Sequence, residues 1–74
     1  MNKNPDLVAF GQNIVALRKS KELTQEELAE SSELDASYIS GIERGVRNPS
    51  YLSLVRLAKG FGLTVWEMCK GVNK

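Results

Sequence analysis

The sequence predicts an all-α fold, a compact bundle of five helices in a single domain covering residues 1–74. Apolar side chains recur at intervals of three and four residues, which is the period of a helix with one buried face. Residues that cap helix starts precede these segments. The chain lacks the alternating pattern of a half-buried strand, and its length leaves room for one domain.

The first two helices follow from spacing and capping. A helix over about residues 6–20 is predicted by apolar residues on one side, namely Leu7, Phe10, Gly11, Ile14 and Leu17. Pro5 precedes this segment and suits a helix start. Thr24 and Glu27 form a capping-box pair, which predicts a second helix over about residues 25–31.

The remaining helices are marked in the same way. Asp35 is a good N-cap for a helix over about residues 36–44, which turns Ile39 and Ile42 inward and ends at Gly45. Ser50 caps a helix over about residues 51–61, and Thr64 opens a capping box for a helix over about residues 65–70. The fourth helix has one apolar stripe, formed by Tyr51, Leu54, Leu57, Ala58 and Phe61.

Composition excludes several classes of function. The chain contains no histidine and one cysteine, Cys69, so it lacks the residues for a zinc site or a histidine-assisted nucleophile. We therefore expect no enzyme activity, no cofactor and no metal, and Cys69 is read as a small buried apolar residue in preference to a redox sensor. No apolar run is long enough to cross a membrane, and no signal peptide is apparent, so we expect a cytoplasmic protein.

The second and third predicted helices form a helix-turn-helix, an arrangement that suits DNA binding. The second helix of such a pair enters the major groove and needs a slender outer face. The third predicted helix meets this need, because its outer residues are small, namely Ala36, Ser37, Ser40 and Gly41. Net charge is only +1, so any DNA surface must be built from local groups.

Three segments carry a family resemblance: residues 24–29 (TQEELA), 37–45 (SYISGIERG) and 47–50 (RNPS). The chain resembles the Cro/cI-type (XRE) helix-turn-helix regulators, whose DNA-binding domain is of the lambda-repressor-like type, over roughly residues 10–68. Within that family, residues 35–44 (DASYISGIER) are most similar to the controller proteins of restriction–modification systems. Those are dimeric regulators of their own operon, and phage-type repressors remain an alternative.

The resemblance implies roles for individual residues. Gln25 matches a residue that holds a DNA phosphate, and Arg44 matches a phosphate partner at the end of the third helix. The positions implied to read base edges are Ala36, Ser37, Tyr38 and Ser40. The loop residues implied to meet the backbone or nearby bases are Arg47 and Asn48. Tyr38 has a second interpretation, in which its ring covers the edge of the core.

Three positions depart from the family pattern. Glu22 and Glu33 stand where relatives often have glycine in tight turns, and a left-handed non-glycine residue costs roughly 1 kcal/mol. Ala36 replaces a long polar side chain and can at most touch a thymine methyl. We therefore expect sequence readout to depend on Ser37, Tyr38, Arg47 and DNA shape.

Acidic residues have structural and functional interpretations. The resemblance implies a salt bridge between Glu43 and Arg18 of the first helix, in preference to a base contact by Glu43. Glu26 and Glu30, with Glu33, are read as a solvated face. Their similarity to activating repressors offers a contact with RNA polymerase as the alternative.

Apolar residues beyond the main stripe predict a homodimer. One small domain cannot bury all of these side chains, namely Leu52, Val55, Val65, Trp66 and Val72. A two-fold pair would bind double-stranded DNA carrying an inverted repeat. The competing hypothesis is an antitoxin or adaptor that acts through protein binding, which the low net charge and Ala36 favour.

Overall fold

The computed structural model describes residues 3–71, and over this range the chain is all-helical. The helices are α1 (Pro5–Ser20), α2 (Gln25–Ser32), α3 (Ala36–Glu43), α4 (Tyr51–Phe61) and α5 (Val65–Cys69). The all-α prediction is confirmed, and each helix end lies within a residue of the predicted one.

The helix starts are set by local capping. In both predicted capping boxes, Thr24 with Glu27 and Thr64 with Glu67, the threonine hydroxyl and the glutamate carboxylate accept hydrogen bonds from each other's backbone N–H groups. The start of α1 differs slightly from the prediction, because Asn4 caps the helix by accepting bonds from the N–H groups of Asp6 and Leu7. Proline therefore occupies the first position of α1, where its missing N–H costs nothing.

The core lies between all five helices. The large side chains buried almost completely come from each of them: Ile14, Leu28, Ile39, Ile42, Leu57 and Met68. The predicted stripe on α4 holds for Leu57, Ala58 and Phe61, but it is wrong for Tyr51, which is 71% exposed. Tyr51 is the first residue of α4, and helical side chains point toward the helix N-terminus, so its ring extends past the packed layer.

The helices α1 and α3 approach each other closely. Gly11 packs against the backbone of α3, and an added Cβ would meet the carbonyl oxygens of Ile42 and Glu43. A larger residue at this position would therefore force the two helices apart. At the other side of the bundle, α2 packs on α4 where Ser31 donates a hydrogen bond to the carbonyl of Gly60 (3.3 Å).

Two tight turns hold non-glycine residues in the left-handed region. Glu22, after α1, has φ 57°, and Glu33, between α2 and α3, has φ 58°. Both conformations were expected from the glycine usually found at these positions. Gly45, after α3, adopts φ 79°, as predicted for a residue that ends a helix.

Within residues 3–71, no helix has the length and apolar character to cross a bilayer.

Candidate nucleic-acid interface

The predicted helix-turn-helix is formed by α2, α3 and the turn of residues 33–35 between them. Ile39 and Ile42 are buried and attach α3 to the core. Asp35 is the N-cap residue of α3, as predicted, but its side chain makes no capping hydrogen bond. The position of α3 is therefore set by packing on its inner side and by contacts near its C-terminal end.

An ion pair connects the C-terminal end of α3 to α1. Arg18 donates two hydrogen bonds to the Glu43 carboxylate, from Nε to Oε2 (2.7 Å) and from Nη2 to Oε1 (3.1 Å). Arg18 Nη1 also donates to the carbonyl of Leu23 (2.8 Å). The side chains of the pair are 14% and 5% exposed, so the salt bridge implied by the resemblance is present and largely shielded from water. The bonds to Glu43 raise the pKa of Arg18 above its ordinary value, against the opposing effect of burial.

Gln25 belongs to the same network, which sequence reasoning missed. Its Nε2 donates to Glu43 Oε1 (2.8 Å), so Glu43 joins the start of α2 as well as α1 to the end of α3. Glutamine has two amide hydrogens and a carbonyl oxygen. One hydrogen is used within the protein, and donation of the other hydrogen to a DNA phosphate stays a prediction.

The outer surface of α3 is sparse, as the sequence indicated. Ser37 is exposed, Ser40 is half-buried, and Ala36 is half-buried against the edge of the core. Arg44 is exposed just beyond α3, where its Nε donates to the Ser40 hydroxyl (3.4 Å). Arg44 therefore places a positive charge at the C-terminal end of this surface. The side chains before it are small and leave space for the edges of a DNA groove.

Tyr38 faces the protein more than its predicted base-reading role suggests. The side chain is half-buried, and its hydroxyl donates to the Ser53 hydroxyl on α4 (3.1 Å). The guanidinium carbon of Arg47 lies 5.7 Å from the centre of the Tyr38 ring. Of the two interpretations, the geometry of this chain favours the one in which Tyr38 covers the core edge.

The loop after α3 carries the other candidate contacts. Arg47 and Asn48 are exposed and stand beside Val46, which is 50% exposed. The N–H groups of Val46 and Arg47 both donate to the carbonyl of Gly41 (3.0 and 3.2 Å), which folds the start of the loop against α3. Arg47 and the outer side of α3 therefore belong to one continuous surface.

The predicted dimer residues include two exposed apolar side chains, one on α4 and one on α5. Leu52 is 66% exposed and Trp66 is 71% exposed, whereas Val55 and Val65 are half-buried. The ammonium group of Lys70 lies 5.3 Å from the centre of the Trp66 ring. Val72, the other candidate, lies outside the described residues. The candidate polymerase residues Glu26 and Glu30 are exposed on α2.

Two further features concern the single cysteine and the residues able to bind a metal ion. Cys69 is half-buried, and burial raises the pKa of its thiol. Within the described range, no group of three or more histidine, cysteine, aspartate or glutamate side chains could hold a metal ion.

One long-range contact that was not predicted from the sequence attaches α5, the helix that carries Trp66, to α1. Asn13 of α1 donates from Nδ2 to the carbonyl of Met68 (2.6 Å), which fastens α5 to α1. The bond joins residues far apart in the chain, so no local sequence pattern predicts it. The available signal was a polar residue, Asn13, placed between Gly11 and Ile14, two residues of the buried side of α1.

Comparisons with known proteins agree with this geometry. Residues 14–65 match a family model described as Helix-turn-helix. The control protein C.MunI of a Mycoplasma species is 38% identical over 68 residues, covering 90% of this chain and 92% of that protein. The crystal structure of the restriction–modification controller protein C.AhdI from Aeromonas hydrophila has a TM-score of 0.85 and 45% identity, covering 88% of this chain and 98% of that one.

A DNA complex is also among the similar structures. The controller protein C.Esp1396I bound to a 19 base pair DNA duplex has a TM-score of 0.85 and 36% identity, covering 93% of this chain and 92% of that one. The chain belongs to the Cro/cI-type (XRE) helix-turn-helix family of DNA-binding transcription regulators and is similar to its restriction–modification controller proteins.

Proposed function

We propose that the chain works as a homodimeric controller protein that binds an inverted-repeat operator through α3 and the loop after it. The observation that carries this proposal is the surface made by the small outer residues of α3 together with exposed Arg44 and Arg47. Such a surface can enter a major groove without a steric barrier and can neutralise phosphates at its margin. Nearly full-length similarity to controller proteins supports the narrower assignment.

The proposed contacts divide into positioning and reading groups. Gln25 and Arg44 hold phosphates at either end of the helix-turn-helix, and Asn48 meets the backbone beside the groove. Ser37 and Ser40 offer hydroxyl groups to base edges, while Ala36 offers only a methyl contact. Because so few polar groups face the groove, Arg47 provides the strongest base contact available to this surface.

Two exposed apolar side chains, Leu52 and Trp66, support a dimer. Burying Leu52 and Trp66 against a second copy would remove two large, mostly exposed side chains from water. A two-fold pair places its recognition helices ~34–36 Å apart, one turn of duplex. The longest dimension of the described chain is 31 Å, which is compatible with two adjacent copies on one face of DNA.

DNA binding is tested by fluorescence anisotropy on two duplexes. One carries a candidate inverted repeat from the DNA upstream of the gene, and the other has the same composition with one half-site scrambled. We expect tighter binding to the repeat and a log affinity that falls steeply with log salt, because phosphate contacts release counterions. Binding without salt dependence or sequence preference would instead favour the protein-binding adaptor, which the net charge of +1 suggests.

The dimer is tested with Trp66→Ala and Leu52→Asp in sedimentation and anisotropy experiments. Both variants should sediment as monomers and bind the operator weakly. Ala16→Asp is the matched control, because it adds the same carboxylate to an exposed position of α1. A monomeric variant that still binds the full operator tightly would refute the dimer.

Contact with RNA polymerase is the second part of the proposal. Glu26 and Glu30 are exposed on α2, the helix that crosses the DNA backbone in helix-turn-helix proteins. Charge reversal of both residues should lower promoter activation while leaving operator affinity nearly intact. Unchanged activation would leave these residues with their first interpretation, a solvated face.

A further inference from the structure

The side chain of Arg47 crosses α3 at a glycine. A Cβ added to Gly41 would lie 2.5 Å from Arg47 Cγ and 3.6 Å from both Cβ and Cδ of Arg47. These three atoms are the nearest to that point, so the space above Gly41 is filled by the arginine stem. Gly41 lies inside α3 in an ordinary helical conformation, and the helix itself does not require glycine there.

The guanidinium end of Arg47 is supported by Tyr38. Its 5.7 Å distance from the ring centre is within the range of a cation–π contact. The ring is anchored at its far end, because the Tyr38 hydroxyl donates to Ser53, a buried residue of α4. Ser53 also accepts a hydrogen bond from the Ser50 hydroxyl (3.1 Å), which fixes its position at the start of α4.

We propose that Gly41 and Tyr38 are positioning residues that hold Arg47 ready to read a base edge, with Tyr38 acting through Arg47. This inference rests on the proposed function, since it requires operator binding. A guanidinium whose stem and planar end are both held loses little conformational freedom when it binds. Its parallel N–H groups match the O6 and N7 acceptors of guanine in the major groove.

The arrangement offsets the loss of a reading residue at Ala36. An alanine there gives almost no hydrogen-bonding information, so discrimination depends more heavily on the few polar groups that remain. A mobile arginine on a loop would supply charge without fixed direction. Holding Arg47 against α3 gives that charge a defined position relative to the recognition helix.

The first test is a double-mutant cycle with Gly41→Ala and Arg47→Ala, measured on the operator and on the scrambled duplex. We expect Arg47→Ala to weaken operator binding about tenfold for each half-site, because each subunit of the dimer loses one good base contact. Gly41→Ala should weaken it about fivefold for each half-site by displacing the arginine, with a smaller loss on the scrambled duplex. The double variant should bind no more weakly than Arg47→Ala alone.

Folding is controlled separately in the same variants. Alanine is favoured over glycine inside a helix, so Gly41→Ala should keep or raise the urea midpoint while lowering operator affinity. Lys59→Ala is the charge control, because it removes one exposed cation near the C-terminal end of α4. The next residue, Gly60, packs against the C-terminal end of α2. Its operator affinity should stay within about twofold, since a cation outside the interface releases no counterion.

The role of Tyr38 is tested by Tyr38→Leu and Tyr38→Phe, each with and without Arg47→Ala. Leucine removes the aromatic face, so it should weaken operator binding, and this loss should disappear when Arg47 is absent. Phenylalanine keeps the face and should retain most of the affinity. In the free protein, nuclear magnetic resonance should detect ring-current shifts of the Arg47 δ-methylene protons that are lost in Tyr38→Leu and in Gly41→Ala.

The outcomes separate this inference from the proposed function. Losses that add fully in either cycle, or wild-type affinity in Arg47→Ala, would overturn the positioning role while leaving operator binding intact. Absence of the ring-current shift in the wild-type chain would also overturn it. A wild-type chain that shows the shift but does not distinguish the operator from the scrambled duplex would refute the proposed function instead.

Discussion

Glu43→Ala tests how strongly the recognition helix is attached to its scaffold. The Glu43 carboxylate accepts hydrogen bonds from Arg18 Nε, Arg18 Nη2 and Gln25 Nε2, at 2.7, 3.1 and 2.8 Å. Removing it leaves a guanidinium that is only 14% exposed and retains one protein partner, the Leu23 carbonyl. Breaking a buried ion pair from one side costs about 3–5 kcal/mol, because the remaining charge is left uncompensated.

We place the expected loss at the lower end, about 3 kcal/mol, because Arg18 keeps its bond to Leu23 and some contact with water. A chain of 74 residues has a total stability of roughly 4–11 kcal/mol, so this loss is a large part of it. The melting temperature should fall by about 12–24 °C, given ~4–8 °C for each kcal/mol in a domain of this size.

Urea unfolding followed by far-ultraviolet circular dichroism measures the change, at one fixed protein concentration because dimer formation would alter apparent stability. Glu26→Ala is the matched control: Glu26 is exposed and acts on Arg18 only through its charge. Its loss should stay below about 0.5 kcal/mol. A loss below about 1 kcal/mol for Glu43→Ala would mean that the pair is worth no more than a surface ion pair, and the reasoning would be wrong.

An apolar pair separates the cost of an unpaired charge from the worth of the ion pair. Arg18→Met combined with Glu43→Leu removes both charges and keeps much of the packed volume. Because neither desolvated charge remains unpaired, the double variant should be more stable than Glu43→Ala or Arg18→Met alone. A double variant less stable than either single one would indicate that the salt bridge itself supplies the stability.

Three other predictions concern local features. Glu33→Gly should raise the free energy of unfolding by about 0.5–1 kcal/mol in urea titrations, because glycine relieves the left-handed backbone at φ 58°. The hydrogen bond from the Thr64 backbone holds the pKa of Glu67 below its ordinary value. The stabilisation is therefore complete above pH 4.5 and lost as the pH falls through the lower folded value, and Glu67→Ala should abolish this acid dependence in unfolding experiments. Burial raises the pKa of Cys69, so its thiol should react with a disulfide reagent near pH 8 more slowly than in the urea-unfolded chain.

Each of these has an outcome that contradicts it. Glu30→Gly, a helical position of α2, should lose about 1 kcal/mol, and a similar loss for Glu33→Gly would show that the turn is unstrained. A Glu67→Ala variant with the wild-type acid dependence would remove the role assigned to Glu67. Equal thiol reactivity in folded and unfolded protein would show that Cys69 is not shielded.

The helices were predictable because their signals are local. Thr24 with Glu27 and Thr64 with Glu67 mark two helix starts within a few residues, and each pair forms its capping box. The same locality explains the small error at α1, where Asn4 provides an equally local cap one residue earlier than expected. Position alone did not predict the missing bond at Asp35, because whether a capping side chain turns toward the helix depends on its surroundings.

The contacts between site residues were less predictable because they join distant parts of the chain. The resemblance implied the pairing of Arg18 with Glu43, but nothing local indicates that Gln25 shares the same carboxylate. Tyr38 was expected to read a base, yet its hydroxyl bonds to Ser53, whose burial depends on how α4 packs. The position of a residue in a helix predicts the face on which its side chain lies. It does not predict which distant side chain will contact it.

The two ends of α3 are held unequally, and this has a consequence for DNA reading. At the C-terminal end, Glu43 is bonded to α1 and α2, and Arg47 folds back over Gly41. At the N-terminal end, Asp35 makes no side-chain cap. A recognition surface fixed at its arginine-bearing end keeps the position of that contact constant. If Ala36 occupies the first reading position as proposed, base discrimination should concentrate at the fixed end.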